Sequence, residues 1–312
     1  MPAAGSPPAR RLLSGHPYLL LVLANLFWAG NFVLARAVRG RVPPIALSFW
    51  RWVGALALLL LLTSRSLRAQ WPLLRREWRL ILAGGILGIG NFNTFVYLGV
   101  GETTATNAVL LNSVCPALIV GITFAAGLGR ATLRQVLGIA VSLLGVVTIV
   151  AQGSPAAVRS LAFNRGDLWV LAAVVSWAFY TVIVVRRPEG VAALTLLAAM
   201  VAVGVAWIAP LYAWELSRGA RLHLDAVTVG SLAYVAVFPS VIAYLFWNQG
   251  VEVIGPNRAG VFIHLLPAFG AVLAALLLGE SFRLFHLIGI GLILAGVALA
   301  SAARPGGKAA ER

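Results

Sequence analysis

A few polar and aromatic side chains stand inside long apolar runs, and whatever chemistry this chain does must lie with them. Asn25, Asn31, Asn91, Asn93, Asn112 and Asn248 offer amide donors and acceptors, and Tyr97, Ser113, Tyr180 and Tyr244 offer hydroxyls. Trp28, Trp177 and Trp247 offer flat apolar faces with one N–H each, and His264 offers an imidazole three residues before Pro267. Amides and hydroxyls in such places line a path for a small neutral molecule, and indoles stack on an amphipathic or aromatic one. Each Asn taken alone is better served by bonding one helix to another, worth roughly 0.6 kcal/mol per contact; it is as a group that they point to a path. A histidine there moves a proton, touches a ligand or simply bonds a neighbour.

Other chemistries lack their residues. The histidines His16, His223, His264 and His286 have no metal-ligand spacing, and no nucleophile–base pair or Walker A motif is present. An enzyme is therefore not expected, and neither is a cofactor or metal. The single Cys115 excludes an internal disulfide and a cysteine-based zinc site. The net charge of +15 would point to nucleic acid in a soluble protein. Here the arginines sit in short joints between apolar runs, so nucleic acid is not expected as a partner.

The elements that position these side chains follow from composition. Of 312 residues, 61% are hydrophobic and 11% charged, against roughly 25% charged in a globular domain. Too little polar surface remains to wrap a core in water, so the lipid bilayer is the expected solvent. About 20 apolar residues cross it as a helix. Ten windows qualify: 18–36, 44–63, 79–98, 105–126, 134–152, 167–186, 191–213, 227–249, 257–278 and 284–303. Counting Lys and Arg puts fifteen on the side of the N-terminus and eight on the other, so both termini are expected in the cytoplasm. Arg51 falls six or seven residues into the second window, where its side chain is expected to snorkel toward the outer headgroups.

The windows are not independent. Shifted by 151 positions without a gap, Phe95 falls on Phe246, Gly99 on Gly250, Pro116 on Pro267, Gly138 on Gly289 and Gly145 on Gly296. Trp28-Ala29 echoes Trp177-Ala178 in the first and sixth windows. The chain therefore reads as a duplication, with a first unit at 1–153 and a second at 154–312. Five crossings per unit is odd, so the second copy inserts upside down. Inverted repeats place a site near mid-membrane between the halves and let the two faces exchange roles. The expected fold is all-α, with ten transmembrane helices as two inverted five-helix repeats. Pro116 and Pro267 lie at matching depth and are expected to kink their helices as paired hinges, freeing the carbonyls of Asn112 and Ile263. Pro210 and Pro239 have no proline at the matching place.

Two five-helix units, a Trp-Ala pair in the first helix of each, and the closing LLGES…IGIGLILAGV of Leu277 to Val297 resemble the drug/metabolite transporter superfamily. Within it the chain is most similar to EamA-type proteins, and among them to bacterial exporters of aromatic and other amino acids. The resemblance implies a secondary transporter working by alternating access about a cavity lined by helices one, three, four, six, eight and nine. It implies a small-molecule cargo, an inner-membrane location and a monomer. The family's small-residue-Glu step appears at Gly279-Glu280 but reads Leu128-Gly129 in the first copy, so that Glu has no counterpart. No Asp or Glu falls mid-window, which favours passive facilitation, or coupling through His264, over a carboxylate-driven pump. Apart from Arg51 every cation in a window sits at or next to its end, which disfavours the sugar-phosphate carriers of the same superfamily. Exporters of other amphipathic metabolites or drugs, and a membrane scaffold or receptor, are the alternatives.

Overall fold

The computed structural model describes residues 16–37, 42–153, 164–279 and 281–302. Ten helices among them are long and apolar enough to cross a membrane. They are α1 Pro17–Ala35, α2 Pro44–Arg76, α3 Trp78–Glu102, α4 Asn107–Ala125, α5 Leu133–Val150, α6 Arg165–Val184, α7 Ala193–Ser217, α8 Ala226–Ile254, α9 Pro256–Leu277 and α10 Leu284–Ser301. Each expected window falls on one of them. The two tails, Glu280, several of the arginines counted for orientation and the loop that follows residue 153 lie outside the described residues.

The clearest departure in length is α2, which runs on to Arg76 past Pro72. Leu, Arg, Ala and Gln carry the helix beyond the apolar run, because they are strong helix formers. Its two ends are tied to α7 reciprocally. The Glu215 carboxylate, near the end of α7, accepts from the Ile45 and Ala46 amides at the start of α2, at 3.0 and 2.7 Å. Gln70, late in α2, accepts from the Ala192 amide just before α7 at 2.9 Å. Orphan first-turn amides are thereby satisfied.

The α5–α10 seam makes the inversion visible. A Cβ on Gly138 would lie 2.6 Å from the Gly296 carbonyl, and one on Gly145 would lie 2.5 Å from the Gly289 carbonyl. The early glycine of one helix faces the late glycine of the other, so the helices are antiparallel. The 151-residue shift exchanges Gly138 with Gly289 and Gly145 with Gly296, and so maps the seam onto itself. A two-fold axis in the membrane plane does this. Only glycine permits the approach, since any side chain would strike backbone.

Two interruptions recur at the same register. Gly85–Asn91 in α3 and Ala236–Ile242 in α8 are π-helical, 151 positions apart at both ends. The amide that follows each reaches back five residues, Phe92 to Leu87 and Ala243 to Phe238. Glycine-rich sequence loosens the first, and Pro239, which lacks an amide hydrogen, forces the second. Pro239 therefore has a structural counterpart after all, Gly88. The α4 helix breaks at Ser113 and Val114, and α9 narrows to a 3-10 turn at Phe262–His264. Pro116 and Pro267 stand just beyond these breaks, so both helices are interrupted where the matching prolines imply.

Candidate functional site

At the middle of the bundle, positions related by the duplication touch each other. The Asn93 amide donates to the Tyr244 hydroxyl at 3.1 Å across a separation of 151 residues. His264 Nε2 meets the Ser113 carbonyl at 2.9 Å across the same separation. Trp28 and Trp177 pack edge to face with ring centroids 5.1 Å apart. The pseudo-two-fold axis passes through these contacts.

A cavity opens on one side of that axis. Its wall includes Trp28, Asn31, Phe92, Asn93, Asn112 and Trp177, with Phe32, Val96, Ile263 and Leu266 completing it. Asn31 and Asn93 lie late in α1 and α3 and Asn112 lies early in α4, so the cavity belongs to the end of the bundle opposite the start of α1. The void is about 20 Å³, enough for a water molecule. A larger molecule enters only if the helices part.

The matching positions on the other side are filled. Tyr180, Tyr244 and Trp247 stand where Asn31, Asn93 and Val96 stand, and all three are buried. Trp177 lies 5.1, 5.4 and 5.7 Å from their ring centroids. Gly88 admits the Tyr180 ring, against which any Cβ would collide. The Trp247 indole N–H finds no acceptor among the described residues. One bond survives the change of chemistry. The Tyr97 hydroxyl donates to Asn31 Oδ1 at 3.1 Å, and the Tyr180 hydroxyl to Asn248 Oδ1 at 2.9 Å. These are the same two positions with Tyr and Asn exchanged.

Arg51 departs most from expectation. It does not reach the headgroups; its side chain is wholly buried. Nε donates to Ser240 Oγ at 2.5 Å, and Nη2 donates to the Pro239 carbonyl at 3.0 Å. Nη1 faces Asn93 Oδ1 and the Tyr97 hydroxyl, both at 2.9 Å, and Asn31 Oδ1 at 3.4 Å. The guanidinium carbon lies 5.1 Å from the Trp52 ring centroid, within cation–π range. Every acceptor is neutral. The π-helical register shifts free two carbonyls for three bonds: Gly88 offers its carbonyl to the Tyr244 hydroxyl at 2.6 Å, and Pro239 offers its own to Arg51 and to Trp28 Nε1, the latter at 3.0 Å.

The remaining candidates divide. Tyr97 bonds Asn31 behind the cavity wall, while on the filled side Tyr244 accepts from Asn93 and Asn248 bonds Tyr180. His264 is fully buried, with Nδ1 2.6 Å from Ser142 Oγ and Nε2 on the Ser113 carbonyl. A carbonyl only accepts, so Nε2 carries the hydrogen, and both ring nitrogens are spent away from the cavity. Asn91 turns outward and accepts from Trp207 Nε1 at 2.9 Å, so it belongs to the α3–α7 contact. Asn25 bonds the Leu21 carbonyl within its own helix. Sequence reasoning placed Arg51 at the wrong end of its side chain and passed over Ser240. The signal was there, a cation inside an apolar run.

Comparison with known proteins bears on all of this. A Bacillus subtilis protein named uncharacterized transporter YyaM is 27% identical over 284 residues, covering 91% of this chain and 93% of its own. An uncharacterized transporter of Archaeoglobus fulgidus is 28% identical over 299 residues, covering 93% and 99%. A solved crystal structure aligns with a TM-score of 0.73 over 92% of this chain and 96% of its own, at 21% identity, a likeness of fold. The model of the EamA-like transporter family matches twice, over residues 16–151 and 164–302. The inverted duplication, the cavity beside its axis and this double match agree: the chain is a multi-pass membrane transporter belonging to the EamA-like transporter family.

Proposed function

We propose that this transporter moves small, net-neutral metabolites, amino acids with aromatic side chains among them, outward across the bacterial inner membrane by alternating access. The observation that carries the reading is the asymmetry about the axis: matching positions line a cavity on one side and are packed with aromatic rings on the other. Exchanging the two arrangements would close the first side and open the second, as inverted repeats permit. The repeats at 1–153 and 154–312 would be the moving halves of a monomer with both termini cytoplasmic. The interrupted α3, α4, α8 and α9 would bend, with Pro116 and Pro267 as hinges. Trp28, Trp177 and Phe92 offer faces for a flat apolar body, and Asn31, Asn93 and Asn112 offer polar contacts. The dominance of aromatic wall also suits other amphipathic metabolites.

His264 has both nitrogens engaged away from the cavity, which favours passive facilitation over coupling through that residue. Uptake of labelled phenylalanine, tyrosine, leucine and threonine into proteoliposomes tests the reading, with and without a pH gradient. Saturable uptake of an aromatic amino acid, unaltered by the gradient, is expected. Absence of uptake for all four removes the amino-acid assignment, and a gradient-driven rate removes the passive one.

A further inference from the structure

Arg51 is a buried cation whose described partners are all neutral: two amide oxygens, two hydroxyls and a carbonyl. A charge held in low dielectric without a counter-charge is costly, and fixed ones mark functional sites. The duplication supplies an internal control for a purely structural role. Trp177 follows Trp28 by 149 positions, and α7 begins 149 positions after α2. At that offset the counterpart of Arg51 is Met200. The offset is borne out by packing: Gly54 meets Ala236 as Val203 meets Gly85. Met200 is fully buried and packs against Gly84 at the edge of the other π-helical segment. The architecture therefore accommodates an apolar side chain at this place. At this pair of positions the cation stands beside the cavity walled by Trp28, Asn31 and Asn93.

Its bonding leaves room for another acceptor. Nη1 carries two hydrogens but faces three oxygens, and the Asn31 contact, at 3.4 Å, is the longest. Nη2 carries two hydrogens and gives one to Pro239. Asn31 and Asn93 are both partners of Arg51 and walls of the cavity, so one layer of side chains separates the guanidinium from the void. We propose that Arg51 is the counter-charge for a carboxylate of the cargo, which replaces Asn31 at Nη1 while a flat apolar body lies against Trp28, Trp177 and Phe92. The cargo class is then the net-neutral monocarboxylates, zwitterionic amino acids, with an aromatic or similarly flat body. This assignment rests on the transport reading above and narrows it.

Binding tests it apart from flux. Full-length protein in detergent is heated with 3-phenylpropionate or with the isosteric 3-phenylpropionamide. The acid is expected to raise the unfolding temperature at concentrations at least about tenfold below those the amide needs, as for a lost charge-assisted bond. Arg51→Met, the second copy's own residue, should erase that difference, and Arg51→Lys should keep part of it. Equal protection by acid and amide in the wild type, or no protection by the acid, overturns the proposal whether or not the variants fold. An acid preference that survives in folded Arg51→Met protein overturns it too. Phenylalanine uptake with equal acid and amide binding would sink this inference and spare the transport reading; acid-selective binding without uptake of any amino acid would do the reverse.

Discussion

Two regions of the molecule treat the duplication differently. Along the α5–α10 seam the copies remain alike, with Gly138 and Gly289, and Gly145 and Gly296, in equivalent contacts. In the core the copies have diverged: Arg51 answers to Met200, Asn93 to Tyr244, Val96 to Trp247 and Ser113 to His264. The seam is constrained on both sides at once, because each glycine makes room for the backbone opposite its partner. Core positions meet side chains, which can change in pairs. The seam holds the copies in register, and the core carries the difference between an open side and a filled one.

Breaking the seam should have the largest effect. Gly145→Leu drives a side chain into the Gly289 backbone and should cost about 3 kcal/mol or more, read as loss of monodisperse protein on size exclusion. A variant that stays folded with wild-type thermal stability would mean that the seam is looser than its geometry. Trp247→Val makes the filled side resemble Val96. It should cost about 3 kcal/mol in thermal unfolding and expose a cysteine introduced at Asn248 to a water-soluble maleimide. No gain in labelling would break the comparison between the two sides.

Smaller effects sharpen it. Trp177→Ala should lower flux by about tenfold, the equivalent of 1.4 kcal/mol, with folded protein retained. Asn91→Ala, turned toward Trp207 instead, should leave flux within about twofold, and equal losses in the two variants would undo the division between cavity and α3–α7 contact. Last, a double-mutant cycle on Tyr180→Phe and Asn248→Ala should give a coupling of about 1 kcal/mol, matched by Tyr97→Phe with Asn31→Ala. A coupling on one side alone would show that the exchanged Tyr–Asn pair is not equivalent in energy.

The parts legible in the sequence and the parts hidden from it differ for physical reasons. Gly138 and Gly145 repeat because backbone contact admits one residue type, so identity survives duplication. The exchanged Tyr–Asn bond leaves no identity to find, since each position changed residue while the bond stayed. The π-helical segments GILGIGN and AVFPSVI share no residue at matching positions, yet both shift register, one through glycine and one through proline. Arg51 was visible as a cation in an apolar run, but position along a helix measures depth and not direction. Its Cα lies near one end of α2, and the packing of α2 against α3 and α8 turns the side chain inward.

Sequence by itself determined the ten crossings, the duplication and its inversion. These depend on the length of apolar runs, on an odd number of them per copy and on residues that sterics will not release, all properties of a one-dimensional pattern. Only the tertiary structure decided that Asn93 faces the cavity while Asn91 does not, that His264 is spent on Ser113 and Ser142, and that Arg51 points at the centre. Those outcomes depend on which helix face meets which neighbour after four helices have been interrupted, and that angle is set by packing between elements far apart in the chain.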